Sequence, residues 1–594
     1  MILQALTEHY ERKARSGDPE LAPLGFEKKE IPFVIVLNED GEFIDLEDMR
    51  TGEGKKKTGR MFTVPQGEKK TSGILANLLW DSLGYVFGIV SLAKAEKLGD
   101  VELERERKRT QEMHAAFIHR IRDTFPKPIN DPGINAVLTF LERGDFSHLY
   151  GHPLWEEVRR DTGAVTFRLD TDIDVLICQR ETVRNVIEQS RENNPEERRR
   201  CLVTGENDTI ARIHPAIKGV WGAQTSGANI VSFNFDAAES YGRGRYKRQG
   251  LNAPVGQYAT FAYTTALNHL LQKGSRQRMQ VGDTSTVFWA ERKHPVEDDF
   301  LDWIEENPDD PERHTEAVRA LYAAPHKGTV PVGEDRTRFY VLGLAPNAAR
   351  IAIRFWYHTT VGKLARHIRQ HFDDLCIVHG PNEQEFLPLF RLLVTTAALG
   401  KTENIPPNFA ADVMKAILAG TPYPYALVSA VIRRIHAEHH VGYARAALIK
   451  AVLVRHTRLR NPNQQEVDVS LDEKNPNAGY RLGRLFAVLE RIQESANPGI
   501  NATIRDRFYA SASSIPVTAF PHLLKLKNHH LSKLENRGQV IYLEKLIGHI
   551  MDGIDTFPAH LSLDDQGRFS IGYYHQRQAF FTKSENKSVQ GEQA

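Results

Sequence analysis

The chain has 594 residues, and its 77 lysines and arginines against 76 aspartates and glutamates leave a formal net charge of only +1. That length allows roughly two to four domains, and the balanced charge excludes a protein that is cationic over its whole surface, so any nucleic-acid surface is local. Three widely spaced cysteines without a CxxC pair exclude a disulfide framework and a zinc ribbon, which indicates a cytoplasmic protein. The first residues do not form a secretory signal, and no apolar run approaches the roughly 18 residues of a membrane span, so no membrane partner is expected.

The N-terminal part alternates short strands with helices. Apolar spacing predicts helices over 2–15 and 91–123. Alternating apolar residues beside turn residues predict strands at 31–37, 43–46, 230–235, 339–344 and 349–357. The sequence Asp161-Thr162-Gly163 predicts a hairpin. The acidic, proline-rich segment 293–336 is expected to be a solvated insertion or linker.

Helical periodicity dominates from about residue 360 onward. Two stripes indicate buried helix faces: Leu482, Leu485, Phe486, Leu489 and Ile492, and Leu543, Leu546, Ile547 and Ile550. The predicted fold class is therefore α+β. A mixed α/β N-terminal domain with short antiparallel sheets, residues 1–375, precedes a C-terminal α-helical bundle, residues 376–594.

Motifs for catalysis or metal binding are incomplete. Gly54-Lys55 lacks the first glycine of a phosphate-binding loop, and the sequence HAEHH at 436–440 lacks the zincin spacing. Asp170, Asp172 and Asp174 alternate, which fits a surface strand and also a two-carboxylate nuclease site. We predict no catalytic residue, no metal and no cofactor, with a metal-dependent nuclease as the alternative.

Four cation-bearing segments suit nucleic acid. Lys55, Lys56 and Lys57 suit phosphates or form a solvated turn. The second segment offers amides for base edges, lysines for phosphate and a cap for a helix from Ile74: Gln66, Lys69, Lys70, Thr71, Ser72 and Asn77. An ordinary capped helix is the alternative.

The third segment follows a small-residue loop at 225–228, and a glycine-rich structural turn is the alternative to a nucleic-acid surface. Its candidates are Asn229, Arg243, Arg245, Lys247 and Arg248. The fourth segment has cations four residues apart, which predicts one stripe along a helix: Lys525, His529, Lys533 and Arg537. Further cations between residues 433 and 460 could extend this stripe into a continuous surface that binds phosphates. The alternative is that these side chains form an ordinary solvated helix face.

Several of these segments resemble one protein family in their order and spacing. They include PQGEKKTSGILANLLWD (65–81), HPAIKGVWGAQTSGANIVSFN (214–234), SYGRGRYKRQGLNAPV (240–255) and FYVLGLAPNAARIAIRFW (339–356). Together they resemble the large subunit of the type I-C CRISPR Cascade, the Csd family of CRISPR-associated proteins. The resemblance covers nearly the whole chain, and residues from about 480 to 594 resemble the Cascade small subunit.

The resemblance implies a non-catalytic subunit of a crRNA-guided complex in antiviral defence. Such a subunit recognises the protospacer-adjacent motif in target double-stranded DNA, promotes the R-loop and helps to recruit a separate helicase–nuclease. Its implied partners are crRNA, target DNA, the Cascade backbone and crRNA-handle-binding subunits, and small subunits. We expect the first two cationic segments near the motif, the third on nucleic acid or a subunit, and the fourth on the displaced strand. A pure assembly scaffold is a further alternative.

Overall fold

The computed structural model of the chain describes residues 1–52, 57–68, 70, 73–125, 128–161, 163–192, 198–233, 250–306, 310–323, 335–462 and 466–591. The chain divides into two compact units. Unit 1 comprises residues 1–218 and 226–272, and unit 2 comprises residues 219–225 and 273–594. Over the described residues, no helix combines the length and apolar character needed to cross a membrane.

Unit 1 mixes short strands with helices. Its strands are β1 (Phe26–Ile31), β2 (Phe33–Leu37), β3 (Phe43–Asp48), β4 (Arg50–Thr51), β5 (Thr58–Pro65), β6 (Trp80–Ser82), β7 (Ala164–Leu169), β8 (Arg198–Arg200) and β9 (Asn207–Thr209). Its helices are α1 (Ile2–Arg15), α2 (Leu83–Val86), α3 (Leu92–Ala95), α4 (Asp100–Thr124), α5 (Pro132–Arg143), α6 (Ser147–Tyr150), α7 (Trp155–Arg160), α8 (Glu181–Glu192) and α9 (Gln257–Leu271).

Two sheets organise the core of unit 1. The first has the order β3-β2-β7-β6, in which β2 and β7 run parallel and the other pairs antiparallel. The second has the antiparallel order β1-β5-β4. All five residues of β2 are buried, because both faces of this central strand are covered. The helix predicted at 2–15 and the hairpin strands predicted at 31–37 and 43–46 are confirmed.

Unit 2 joins one sheet to a helical bundle. Its strands are β10 (Arg278–Val281), β11 (Thr284–Ala290), β12 (Arg338–Asn347) and β13 (Arg350–Thr360). Its helices are α10 (Val296–Ile304), α11 (Pro311–Ala323), α12 (Val361–Leu375), α13 (Leu389–Val394), α14 (Pro407–Ala419), α15 (Ala426–Glu438), α16 (Tyr443–Arg460), α17 (Ala478–Ala496), α18 (Ile504–Ser514), α19 (Pro516–Leu531), α20 (Arg537–Met551) and α21 (Leu563–Gly591).

One hydrophobic core connects the sheet of unit 2 to its helices. Strands β10 to β13 pair antiparallel in sequence order. Phe288 and Phe339 on this sheet belong to the same buried cluster as Phe486 on α17 and Phe569 on α21. The structure confirms the α+β fold class, with short antiparallel sheets first and helices later. The predicted domain boundary at 375/376 falls at the end of α12, inside unit 2, and that division of the chain into domains stays a prediction.

The segment 293–336 is not simply a solvated linker, contrary to the sequence prediction. Its described residues form α10 and α11, which place Phe300, Trp303 and Ile304 in the core of unit 2. The acidic residues of this segment occupy the other positions of an amphipathic helix, so composition alone concealed the buried face.

Two further local predictions are wrong. Residues 155–169 form the helix α7 followed by β7 rather than a hairpin around Asp161. No strand forms over 230–233, and residues 234–235 lie outside the described part. The backbone turns before it at Gly227, whose φ is +89°, and the side-chain amide of Asn229 donates 2.7 Å to the carbonyl oxygen of His214. That bond supports a loop at this point instead of an extended ladder.

Candidate nucleic-acid interface

The loop from Gln66 to Asn77 leaves the end of β5 and is closed at its base. The backbone N–H of Gln66 donates 2.9 Å to the carbonyl of Gly25, which continues the β1–β5 pairing. The N–H of Glu68 donates 2.9 Å to Oδ1 of Asn77, so the two ends of the loop are tied together. Asn77 is only 5 % exposed. Its oxygen therefore accepts a hydrogen bond inside the fold.

Asp81, the middle residue of strand β6, binds two residues of the same loop. Its carboxylate accepts from the Lys70 ammonium at 2.6 and 2.7 Å and from the N–H of Asn77 at 2.9 Å. The Lys70 ammonium also lies 3.6 Å from the ring centroid of Tyr85. Burial lowers the pKa of Lys70, and the charge of Asp81 acts in the opposite direction. The Lys70 ammonium therefore helps to hold the loop, while the residue itself remains exposed at the surface.

The predicted residues of this loop thus separate into two groups. Gln66 is exposed at the loop entrance, whereas Lys70 and Asn77 form its base. Lys69, Thr71 and Ser72 lie outside the described residues. Their contacts with DNA stay predictions, as do those of the described members.

The helix expected from Ile74 does not form, so the capped-helix prediction is wrong. Residues 74–79 have no helical turn and run directly into β6. The N–H of Leu75 donates to the Tyr85 hydroxyl at 3.2 Å, and that of Asn77 donates to Asp81. These side-chain acceptors take the place of the carbonyls that a helix would supply.

The lysine segment lies at the opposite end of β5. Lys57 immediately precedes β5 and is exposed, with its ammonium 3.9 Å from Asp48. The carboxylate of Asp48 is held chiefly by Arg50 at 2.7 Å, and that hydrogen bond contributes most to the lowered pKa of Asp48. The ion pair with Lys57 is long and exposed, so it is worth little. Lys55 and Lys56 lie outside the described residues.

Sequence reasoning missed two cationic strands of unit 1. Lys29 on β1 lies opposite Phe62 of β5, with its ammonium 5.5 Å from the Trp80 ring centroid. Arg198 and Arg200 are exposed on β8, which pairs with β9. The runs EKKE and ERRR have no apolar alternation, so they gave no strand signal. Three consecutive arginines were nevertheless a visible charge signal.

The third predicted segment is described only at its edges. Asn229 is used within unit 1, where its amide donates to the carbonyls of His214 and Pro215. A Cβ built on Gly250 would lie 3.6 Å from the ring of Phe233, so the described residues on either side of 234–249 are neighbours. Arg243, Arg245, Lys247 and Arg248 lie outside the described residues, and their contacts stay predictions.

The fourth segment is not one helical stripe, which corrects the sequence prediction. Lys525 and His529 lie on α19, which ends at Leu531, while Lys533 lies in the following turn and Arg537 begins α20. Asn536 caps α20 by accepting from the N–H of Gln539 at 3.1 Å, which fixes the break between the helices. All four cationic side chains are exposed.

Part of the predicted phosphate-binding surface between residues 433 and 460 is buried instead. Arg455 donates 2.7 Å to Asp374, and Arg458 donates 2.5 Å to the other oxygen of that carboxylate. The Lys450 ammonium donates to the backbone carbonyl of Asp374. Arg455 and Lys450 are almost fully buried, so they stabilise the packing of α12 against α16 rather than face a nucleic acid.

The residues of the nuclease alternative do not converge. Asp170 follows the end of β7, and Asp172 pairs with Arg180 at 2.5 Å. His436 lies 2.9 Å from the Ser513 hydroxyl, and Glu438 pairs with Arg445. Within the described ranges, no group of three or more histidine, cysteine, aspartate or glutamate side chains is placed to hold a metal ion.

The fold defines a class: a large α+β protein with one unit of short strands and helices, and another unit in which a four-stranded antiparallel sheet shares its core with a helical bundle. The family described as CRISPR-associated protein (Cas_Csd1) matches residues 6–581, nearly the whole chain. The chain therefore belongs to the Csd1 family, the large subunit of the type I-C Cascade, and is a CRISPR-associated subunit of the Cascade type. A comparison with curated proteins found no match.

Proposed function

We propose that the chain is the DNA-reading, non-catalytic subunit of a crRNA-guided complex, and that its motif reader is the loop from Gln66 to Asn77. The observation that carries this proposal is the tied base of the loop, where Asn77 and Asp81 fix both ends. A loop held at its base presents its apex with little loss of conformational entropy on binding. Base pairing with crRNA supplies the rest of the sequence specificity.

The residues of this loop have different proposed tasks. Exposed Gln66 is the candidate base reader, because an amide pairs bidentately with adenine in the major groove. Lys69, Thr71 and Ser72 are the candidates for phosphate. Gly73 adopts a φ of +95°, and a Cβ built there meets no atom of the described residues within 4 Å, which leaves room for a DNA backbone.

Strand β5 gives a spacing for duplex contacts. It separates the lysine segment at one end from the motif loop at the other by its eight residues. At a rise of about 3.3 Å per residue, the two ends of β5 from which these loops depart are about 23 Å apart. Duplex DNA rises about 3.4 Å per base pair, so the two loops would contact phosphates about seven base pairs apart.

The other proposed contacts lie in both units. The exposed cations Lys525, His529, Lys533 and Arg537 would hold the displaced strand through its phosphates. Arg243, Arg245, Lys247 and Arg248 would contact crRNA or a neighbouring subunit. Recruitment of a separate helicase–nuclease after R-loop formation completes the proposed role, which is carried by the family membership alone.

The test uses the reconstituted complex with crRNA and compares a target duplex carrying the motif with one whose motif is scrambled. Gln66→Ala should reduce the preference for the motif by about 1–3 kcal/mol. Gln111→Ala, on the exposed side of α4, is the matched control and should leave the preference unchanged. An unaltered preference in Gln66→Ala would remove this loop as the reader. Cleavage of either strand by the purified chain with Mg²⁺ or Mn²⁺ would instead favour the nuclease alternative.

A further inference from the structure

A cavity of about 340 Å³ lies within unit 2, among four segments of the bundle. The loop 380–383, the turn 440–443 between α15 and α16, the first turn of α18 and residues 573–581 of α21 line it. The volume is at the lower end of the range for small-molecule sites. His440, the last residue of the HAEHH sequence, is part of this lining.

One side of the cavity carries two arginines that share a buried carboxylate. Glu490 on α17 is 1 % exposed and accepts from Arg577 at 2.7 Å and from the Tyr573 hydroxyl at 2.5 Å. Its other oxygen accepts from the Thr503 hydroxyl at 2.7 Å and lies 3.8 Å from Nε of Arg505. The guanidinium of Arg577 is therefore held in place before any ligand arrives, which lowers the entropic cost of binding, while Arg505 forms a longer ion pair with the same carboxylate.

Arg505 has donor capacity left for a ligand. Among the residues that the structure describes, its Nε has no hydrogen-bond acceptor but is too buried to reach a ligand, so the terminal N–H groups of Arg505 would be the donors. A guanidinium has five N–H donors, and Arg577 directs NH1 alone to Glu490 and Tyr573. His440 lines the same side, and burial followed by the charges of Arg445, Arg505 and Arg577 lowers its pKa. Glu494 also lies 3.8 Å from NH1 of Arg577, so an anion would bind here through the remaining guanidinium donors rather than through an excess of positive charge.

Aromatic residues that are fixed by hydrogen bonds also line the cavity. The Tyr443 hydroxyl donates 3.3 Å to the carbonyl of Glu385, and the Tyr574 hydroxyl donates 2.9 Å to that of Val378. These bonds fix the two rings against the loop that precedes α13. Phe581, 53 % exposed, lines the cavity beside them. Tyr443 and Tyr574 are mostly buried, so the exposed Phe581 ring offers the main face for a base, next to guanidinium donors for its phosphate.

We propose that this cavity binds one nucleotide of a single-stranded nucleic acid, with its phosphate at Arg505 and Arg577 and its base against Tyr443, Tyr574 and Phe581. Glu383 also lines the cavity and disfavours a second phosphate, which limits the site to one nucleotide unit. That the bound nucleotide belongs to the displaced DNA strand rests on the proposed function, whereas the affinity of the cavity for a nucleotide does not.

The test measures the affinity of the full chain for fluorescein-labelled dT10 and rU10 by anisotropy, with thymidine monophosphate as competitor. Arg505→Gln keeps a polar side chain, although a shorter one, and removes its charge; Arg507→Gln is the matched control, exposed two residues further along α18. Asn382→Trp on the exposed loop fills the cavity without touching Glu490. Thermal unfolding of each variant verifies its fold.

Loss of charged hydrogen bonds predicts that Arg505→Gln raises the Kd for dT10 about ten-fold, and obstruction of the cavity predicts a similar rise for Asn382→Trp. Arg507→Gln should change the Kd less than about two-fold. Thymidine monophosphate should compete with dT10 on the native chain but not on Asn382→Trp. Tighter binding of dT10 than of rU10 supports the displaced strand as the source, and the reverse supports the guide.

The proposal is overturned if either folded cavity variant binds dT10 as the native chain does, or if thymidine monophosphate does not compete. Should Arg505→Gln fail to fold, Asn382→Trp decides alone. Binding of a motif-bearing duplex by the same variants, in the reconstituted complex, keeps the two proposals apart. A native complex without motif preference overturns the motif reader and leaves the cavity in place.

Discussion

Gly483 on α17 approaches the carbonyl oxygen of Phe569 on α21 so closely that a Cβ built on the glycine would lie 2.0 Å from that oxygen. Gly572 on α21 makes the reciprocal approach, because a Cβ built on it would lie 2.1 Å from the carbonyl oxygen of Tyr480. The two helices run in the same direction, since residues 480, 484 and 490 meet residues 575, 576 and 577 in that order. Backbone contact of this kind leaves no flexible side chain to move aside.

Gly483→Ala should therefore lower the free energy of unfolding by about 1–3 kcal/mol or more through overpacking. Gly548→Ala on α20 is the matched control, because a Cβ there meets nothing within 4 Å in the part of the chain that the structure describes. Relief of the glycine's conformational entropy should make the control more stable by about 0.5–1 kcal/mol. Urea unfolding followed by circular dichroism measures both, and equal effects would show that the helices can separate at little cost.

Removal of the buried Asp374 carboxylate should be among the most costly single changes in the bundle. Asp374→Ala leaves Arg455 buried without its main partner, which predicts a loss of about 3–5 kcal/mol. Asp283→Ala, which removes the exposed partner of Arg354, should cost about 0–1 kcal/mol. Unfolding curves in urea compare the two, and a small effect of Asp374→Ala would mean that water reaches Arg455.

The sequence was informative where one periodicity controls one face. The stripe from Leu482 to Ile492 is buried as predicted, because a helix that packs on a core must repeat its apolar residues. The sequence was uninformative where side-chain chemistry has two uses. A lysine such as Lys70 suits a phosphate and equally suits Asp81, and only the fold brings Asp81 beneath it.

The same limit explains the missed cavity. Glu490, Arg505 and Arg577 come from three different helices, and each alone is a common surface residue. Their convergence depends on the crossing of α17, α18 and α21, which no local spacing encodes. Trp303 was missed for the opposite reason, since the acidic composition around it outweighed the short apolar face to which it belongs.

Acidification should destabilise the bundle partly through His575. Burial, followed by the charge of Lys450, lowers the pKa of His575 to about 3, and the Tyr480 hydroxyl lies 2.9 Å from its ring. As the pH falls, His575 is protonated near pH 6.5 in the unfolded chain but only near pH 3 in the folded chain. The stabilising contribution is therefore complete above pH 6.5 and is lost as the pH falls through that window.

The measurement compares unfolding free energies at pH 7.5 and 5.5. The native chain should lose about 1.4 kcal/mol more over this interval than His575→Gln does. Other buried histidines, such as His371, whose pKa burial also lowers, titrate in both proteins and cancel in the comparison. His549→Gln on the exposed side of α20 should retain the native pH dependence. Identical slopes for His575→Gln and the native chain would mean that the imidazole is solvated in the fold.

The base of the motif loop should control motif binding indirectly. Asn77→Ala removes the acceptor for the N–H of Glu68 and leaves Gln66 and Lys69 in place. We expect weaker binding to motif-bearing and scrambled duplexes alike, because the loop must be ordered before it contacts either. Asn135→Ala, which removes a comparable side-chain bond to a backbone carbonyl near α5, is the control. Loss of motif preference at unchanged total affinity would show that Asn77 reaches the bases itself.

The two loops at the ends of β5 should contribute to duplex binding independently. Sites about 23 Å apart lie beyond the range of roughly 7–10 Å within which substitutions couple. Replacing Lys55, Lys56 and Lys57 by glutamine, and separately Lys69 by glutamine, should each lower log K and reduce the salt slope by about 0.9 per lost phosphate contact. The combined variant should show the sum of both effects in the reconstituted complex. Lys108→Gln on the exposed side of α4 controls for a general loss of charge. If the combined variant loses less binding free energy than the two separate variants together, both loops must contact the same phosphates. Loops at opposite ends of a straight β5 could not do so, and this result would contradict the proposed spacing.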